Sequence, residues 1–127
     1  LDVVVTAVEW GHGKRRGVLS DYTFAVRDED GRLRNIGKAY SGLTDREIAE
    51  MTEHFLAHTI EDLGRARIVE PDTVIEVAFD QIQPSERHDS GLAMRFPRIV
   101  RLRPDKPVAE IDTLETARSL AARSGGP

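Results

Sequence analysis

The sequence predicts a mainly β domain, a small Greek-key β-barrel with one helix inserted after the third strand and a second helix at the C-terminus. Three observations predict it. Short apolar segments alternate with Gly, Asp and Pro punctuation along much of the chain. The first three segments follow one another through short turns, as in a meander. The hydrophobic period then changes from 2 to 3.6 after Gly42 and returns to 2 from residue 65.

Each element has its own reason. Residues 3–10 are β-branched and apolar, a buried strand that ends at the loop Gly11-His12-Gly13-Lys14-Arg15-Arg16-Gly17. Residues 18–27 form a second strand, with Tyr22, Phe24 and Val26 alternating inward. Asp28-Glu29-Asp30-Gly31 turns the chain, because Asp-Gly tolerates the positive φ of a tight hairpin, and residues 33–40 return as the third strand. Thr44 followed by Glu47 is a capping box, and Ile48, Met51, Phe55 and Leu56 form the apolar stripe of a helix reaching about His58. Residues 65–69 and 74–82 are further strands around the Glu70-Pro71-Asp72 turn, and residues 83–91 are polar and loop-like. The strand containing Arg95 follows and stops at Pro104-Asp105, since proline donates nothing to a ladder. A last helix covers residues 113–123, with Asp112 as cap and Glu115 behind it. Meander, helix, then more strands is the order of the OB-fold, a small Greek-key barrel; a split α+β sandwich is the main competitor.

Composition bounds the rest. At 127 residues the chain is one domain, residues 1–123, with a disordered tail at 124–127. It has no Cys, which excludes a disulfide framework and a thiolate metal site. No apolar run approaches membrane-spanning length, so no membrane partner is expected, and the cytoplasm is the default compartment. The sequence begins on a strand at Leu1, without an initiator Met or a leader, and reads as a domain cut from something longer.

The net charge of −4 hides a division. Residues 95–106, RFPRIVRLRPDK, carry five cations against one carboxylate, and Lys14, Arg15 and Arg16 add three more. The remainder is strongly acidic, so a polyanion is met by one face while the body repels it. At period 2, Arg95, Ile99, Arg101 and Arg103 share one face of the strand. Phe96, Arg98, Val100 and Leu102 share the other, which reads as core. Guanidinium groups grip phosphate oxygens in pairs, so the first face reads as a phosphate-handling edge, against the plainer reading of a solvated barrel edge. Phe96 reads as a core anchor rather than a base-stacking platform, and Trp10 as core.

Two constellations are discounted. Glu50, His54, His58 and Glu61 lie near one helical face, but His54-Phe55-Leu56-Ala57-His58 lacks the glutamate of a zincin, and no metal ligands are expected. Ser85, His88 and Asp89 are triad types confined to one loop, where opposed geometry is not expected.

Several of these residues together carry a family resemblance. Leu1-Asp2-Val3-Val4-Val5, the Gly11 to Gly17 loop, Gly37-Lys38, Gly42-Leu43-Thr44-Asp45, and Arg95-Phe96-Pro97-Arg98 continuing to Arg101, Arg103, Asp105 and Lys106 resemble, in order, the C-terminal OB domain of ATP-dependent DNA ligases. Asp112-Thr113 continues the likeness. The resemblance implies a role in joining a 5′-phosphate to a 3′-hydroxyl through enzyme- and DNA-adenylate intermediates. It implies that Arg95, Arg101, Arg103, Asp105 and Lys106 act in adenylation, orienting the pyrophosphate leaving group of ATP. Asp105 either holds Arg103 or Lys106 or acts through Mg²⁺. It implies that Lys14, Arg15, Arg16, Lys38 and Arg98 contact nicked double-stranded DNA across the minor groove, strengthening binding without reading sequence. The implied partners are that DNA and an upstream nucleotidyltransferase domain of the same chain, which binds most of the ATP and Mg²⁺, in a monomer. The Lys-x-Asp-Gly nucleophile motif of such enzymes is absent, so this segment alone is expected to be inactive. A free-standing nucleic-acid-binding barrel and a protein-docking domain in DNA repair are the alternatives.

Overall fold

The computed structural model describes residues 1–40 and 42–124. Nine strands are described: β1 (Asp2–Trp10), β2 (Leu19–Arg27), β3 (Leu33–Ala39), β4 (Thr59–Asp62), β5 (Ala66–Val69), β6 (Val74–Ala78), β7 (Gln81–Pro84), β8 (Leu92–Arg95) and β9 (Arg98–Leu102). Helix α1 (Asp45–Ala57) follows β3, and α2 (Leu114–Ser124) closes the described chain. The tail expected at residues 124–127 lies, beyond Ser124, outside the described residues.

All strand pairings of the ladders are antiparallel, and β1 is their axis. One edge of β1 carries β2 and then β3. The other edge is shared: Ala7 to Glu9 pair with β5, and Asp2 to Val4 pair with β6. Beyond these lie β4 on β5 and β9 on β6. Among the described residues the strands β7 and β8 form a ladder only with each other, yet Ile82, Leu92 and Met94 join the same buried core as Val3, Phe24 and Ile36. The hairpin therefore completes a wall by packing. Gly37 on β3 sits so close that a Cβ there would meet the Phe24 ring at 2.8 Å.

Helix α1 caps the core as its sequence predicts. Thr44 Oγ1 accepts from Glu47 N at 3.1 Å, and Glu47 returns a carboxylate oxygen to Thr44 N at 2.9 Å. Phe55 meets Tyr22 edge-on at 5.2 Å, worth about 0.5–1.5 kcal/mol beyond area alone. Thr52 accepts from Leu19 N at 3.0 Å, tying helix to strand. Leu56, expected in the apolar stripe, is exposed instead. The buried face of α1 is Ile48, Thr52 and Phe55, with Met51 packed partly against the core.

The strands after α1 differ from the sequence expectation in four places. Strand β4 was not expected, because Glu61 and Asp62 disguise a solvent-facing edge strand. The predicted strand at 74–82 breaks after Ala78, where β6 leaves the large sheet and β7 begins the hairpin. Gln83 and Pro84, expected in the polar stretch, belong to β7, and residues 85–91 form the hairpin's turn. The Arg95 strand also breaks, at Phe96-Pro97. The cap of α2 is Thr113, whose Oγ1 accepts from Thr116 N at 3.2 Å; Asp112 Oδ2 instead accepts from Asp2 N at 2.7 Å.

Candidate functional site

The break at Phe96 decides which side of the cationic strand faces water. Phe96 has φ +52, a left-handed conformation costly for any residue with a Cβ, and its side chain is 64% exposed. The core-anchor reading is therefore corrected. Past the break, a bulge at Val100 leaves Ile99 opposite Val77 and Arg101 opposite Glu76. One extra residue reverses the alternation, so Ile99 and the partly buried Leu102 both pack on the core while Val100 is exposed. The expected core face of Phe96, Arg98, Val100 and Leu102 survives only at Leu102. Gly42 makes this possible on one side: at φ +115 its backbone lies against the Ile99 carbonyl, where a Cβ would overlap.

Register then assembles a row across three strands. Asp2 on β1 faces Glu76 on β6, and Glu76 faces Arg101 on β9, all on the outer face of the sheet. Arg101 Nε donates to Glu76 Oε1 at 2.7 Å. Arg103 donates to both oxygens of Asp105 at 3.1 Å and to Asp2 at 3.3 Å, and Lys106 donates to Asp2 Oδ2 at 2.6 Å. The bidentate contact with Arg103 holds the Asp105 carboxyl below the usual carboxylate range, and Asp2 pushes the Lys106 ammonium up. Both Asp105 carboxylate oxygens thus accept from the one guanidinium. Three cations thus converge with three carboxylates. Beside them is an open groove of about 320 Å³, walled by Met51, His54, Asp72, Leu102, Arg103 and Lys106.

The remaining cations of that segment lie elsewhere. Arg98 donates to Asp80 at 3.2 Å and to the Phe96 carbonyl at 3.0 Å, holding the Phe96 turn. Arg95 stands over the Phe96 ring at 5.2 Å, with no carboxylate partner among the described residues. Arg95, Phe96 and Arg98 therefore form one exposed unit, distinct from the Arg101, Arg103, Lys106 cluster.

The Gly-rich loop lies at the other end of β1. That strand rises about 26 Å from Asp2 to Trp10, so the two cationic regions are well separated. Gly13 and Gly17 have φ +61 and +90, and at Gly11 a Cβ would meet Ser20 Oγ at 2.4 Å. Lys14 and Arg16 are exposed, with no ion pair among the described residues. Arg15 differs from its neighbours. It folds back toward Asp45 at 3.8 Å, its Nη1 is buried, and its charge opposes the upward push of burial on the Tyr22 hydroxyl. Lys38 is paired with Glu9 at 3.0 Å on the same end of the sheet. Tyr40, 68% exposed, shares a concavity of about 300 Å³ with His12, Arg15, Ser20 and Asp21. The sequence analysis missed Tyr40; its place at the end of β3 beside the loop was the available signal. Trp10 packs partly against the core, in line with expectation.

The two discounted constellations resolve differently. Asp89 accepts from Asn35 N at 2.8 Å, Ser85 Oγ accepts from Arg87 N, and partial burial lowers the pKa of His88. These residues fasten a turn. His54 and His58 do gather, but around Asp72; Glu50 pairs with Arg46 at 3.2 Å and Glu61 lies on β4.

Comparison with known proteins identifies the family. The family model of the C-terminal region of ATP-dependent DNA ligases matches residues 15–106. A probable DNA ligase of Opitutus terrae is 70% identical over 127 residues, and one of Koribacter versatilis is 67% identical over 120. These alignments cover 98% and 94% of this chain but only 12% and 21% of those proteins. The ligase domain of Mycobacterium tuberculosis LigD superposes with a TM-score of 0.67 at 26% identity, covering 87% of this chain and 37% of that one. A mycobacterial DNA ligase D complexed with ATP has the same fold, with a TM-score of 0.66 at 20% identity over 88% of this chain and 36% of that one. No described helix is long and apolar enough to cross a membrane. With a mainly β OB architecture and a family match through the cationic strand, the chain belongs to the ATP-dependent DNA ligase family, as its C-terminal domain.

Proposed function

We propose that this domain serves two steps of nick sealing from opposite ends of β1. At one end, Arg101, Arg103 and Lys106 neutralise the polyphosphate of ATP while a lysine of the upstream nucleotidyltransferase domain attacks the α-phosphorus. A P–N bond forms, the bond to pyrophosphate breaks, and the cations take up the charge that develops on the departing group. Their ion pairs with Asp2, Glu76 and Asp105 hold them extended in a fixed row until phosphate oxygens replace the carboxylates. Positioning by Asp105 belongs to the same device. Arg95 assists from the neighbouring turn.

At the other end, Lys14, Arg16 and Lys38 lie along the backbone of nicked duplex DNA, with Arg15 bracing the loop from beneath. Exposed Phe96, between Arg95 and Arg98, favours contact with bases over the core role, since a left-handed aromatic in water packs on no part of the core. The enzyme acts as a monomer, with Mg²⁺ held mainly by the nucleotidyltransferase domain, in the cytoplasm at the nucleoid.

The observation that carries this reading is the row Asp2, Glu76, Arg101 with Arg103 and Lys106 at its end. Full-length enzyme bearing Arg101→Ala or Lys106→Ala is the test. Lysyl-adenylate formation from ATP falls at least tenfold, whereas sealing of pre-adenylated nicked DNA is less affected. Unchanged adenylation would remove the leaving-group role.

A further inference from the structure

We propose that His54, His58 and Asp72 form a site for a borderline divalent transition metal ion of the Zn²⁺ class, joining the end of α1 to the turn before β6. His54 and His58 are four residues apart on the last helical turn, so their rings rise from one face. Asp72 meets them from a segment distant in sequence. One ligand atom from each residue lies within 4.8 Å of the other two.

The hydrogen bonding around the site prepares it for a metal. His58 Nδ1 is 2.7 Å from the His54 carbonyl oxygen, which can only accept. Nδ1 therefore carries the hydrogen, and in the neutral ring Nε2 keeps its lone pair. This is the outer-shell arrangement that orients metal-ligating histidines. His54 Nε2 and Asp72 Oδ1 are 2.9 Å apart with a single proton between them. Tetrahedral ligand atoms around Zn²⁺ sit about 3.3 Å apart, so an ion replaces that proton with a small side-chain shift. His54 and His58 stack at 4.1 Å and 22° between planes, which keeps both imidazoles together at the end of the helix.

The donor set selects the ion. Two imidazoles and one carboxylate suit Zn²⁺, Ni²⁺ or Co²⁺, whereas Mg²⁺ and Ca²⁺ take oxygen cages. The residues are half-exposed, leaving the fourth position to water. An ion here stiffens the wall of the groove that faces Arg103 and Lys106. This site is separate from the residues proposed for ATP and DNA, so neither reading depends on the other.

The test uses the 127-residue chain without an affinity tag, stripped by a chelator, in a buffer that does not coordinate metals. Calorimetric titration with ZnCl₂ saturates at one equivalent, and the thermal midpoint rises on binding. Titration with CoCl₂ gives the intense visible bands of four-coordinate cobalt, and MgCl₂ does neither. His58→Gln and Asp72→Asn each weaken Zn²⁺ binding at least tenfold, while His12→Gln and His88→Gln, at the other two histidines, leave it unchanged. Absence of one-equivalent saturation in the unaltered chain overturns the proposal. So does equal loss in the His12 or His88 variants. If His54→Gln, beside Phe55, disturbs folding, the two surface variants decide.

Discussion

The strand that ends in Arg101, Arg103 and Lys106 and the loop that carries Lys14 and Arg16 spend the same residue types in opposite ways. In the strand, every one of the three cations is met by a carboxylate from β1, β6 or the following turn. In the loop, Lys14 and Arg16 have no such partner among the described residues, and only Arg15 is drawn inward. The lesson is that cation density does not measure available charge. Carboxylate pairing fixes where a guanidinium points, which suits transition-state geometry. Unpaired cations keep their full field and their mobility, which suits a polyanion that is gripped at any sequence.

That contrast breaks or sharpens under substitution. The largest effect is expected from Arg103→Ala in the full-length enzyme. Loss of one preorganised charged donor costs about a hundredfold in adenylation rate. A rate within twofold of the parent would mean that the ion-paired row is only a stabilising device. Next is the loop. Lys14→Ala with Arg16→Ala weakens nicked-DNA binding roughly tenfold and flattens the log–log salt dependence by about 1.8, while adenylation is spared. An unaltered salt slope would place DNA elsewhere on the barrel.

A smaller effect concerns Phe96. Because its φ is positive, Phe96→Gly is expected to be more stable than Phe96→Ala by about 1 kcal/mol in denaturant unfolding. The opposite order would show that the turn relaxes freely. Both variants remove the same exposed ring. Smallest is the acid response of Asp105, whose carboxyl is held low by Arg103. A depressed pKa contributes stability that is present at neutral pH and is lost only as pH falls through the folded value, below the ordinary range near about 4. Side-chain carboxyl NMR should show that low midpoint returning to the ordinary range in Arg103→Ala. A midpoint that stays low would assign the shift to backbone amides instead.

Legibility from sequence followed the range of the interaction. The capping box at Thr44 and Glu47 was readable because its partners are three residues apart. The Asp28 to Gly31 turn was readable for the same reason, and Gly31 has φ +81. The parity of the cationic strand was not, because the bulge at Val100 is a matter of pairing between β9 and the distant strand β6, opposite Glu76 and Val77. Asp112 looked like a cap, yet Asp2 takes its carboxylate from far along the chain. The His54, His58, Asp72 cluster was half visible, since helical spacing gives the first two residues and only folding brings the third.

By itself, the sequence determined the strand–helix order, both cationic segments and the resemblance that joins them. Local φ preference, capping and hydrophobic period act within a few residues, so they are written in the chain. The tertiary structure alone decided which cations are neutralised, where Phe96 points, and that the two charged regions occupy opposite ends of β1. Those outcomes depend on strand register, and register places Asp2, Glu76 and Arg101 in one row although nothing local relates them.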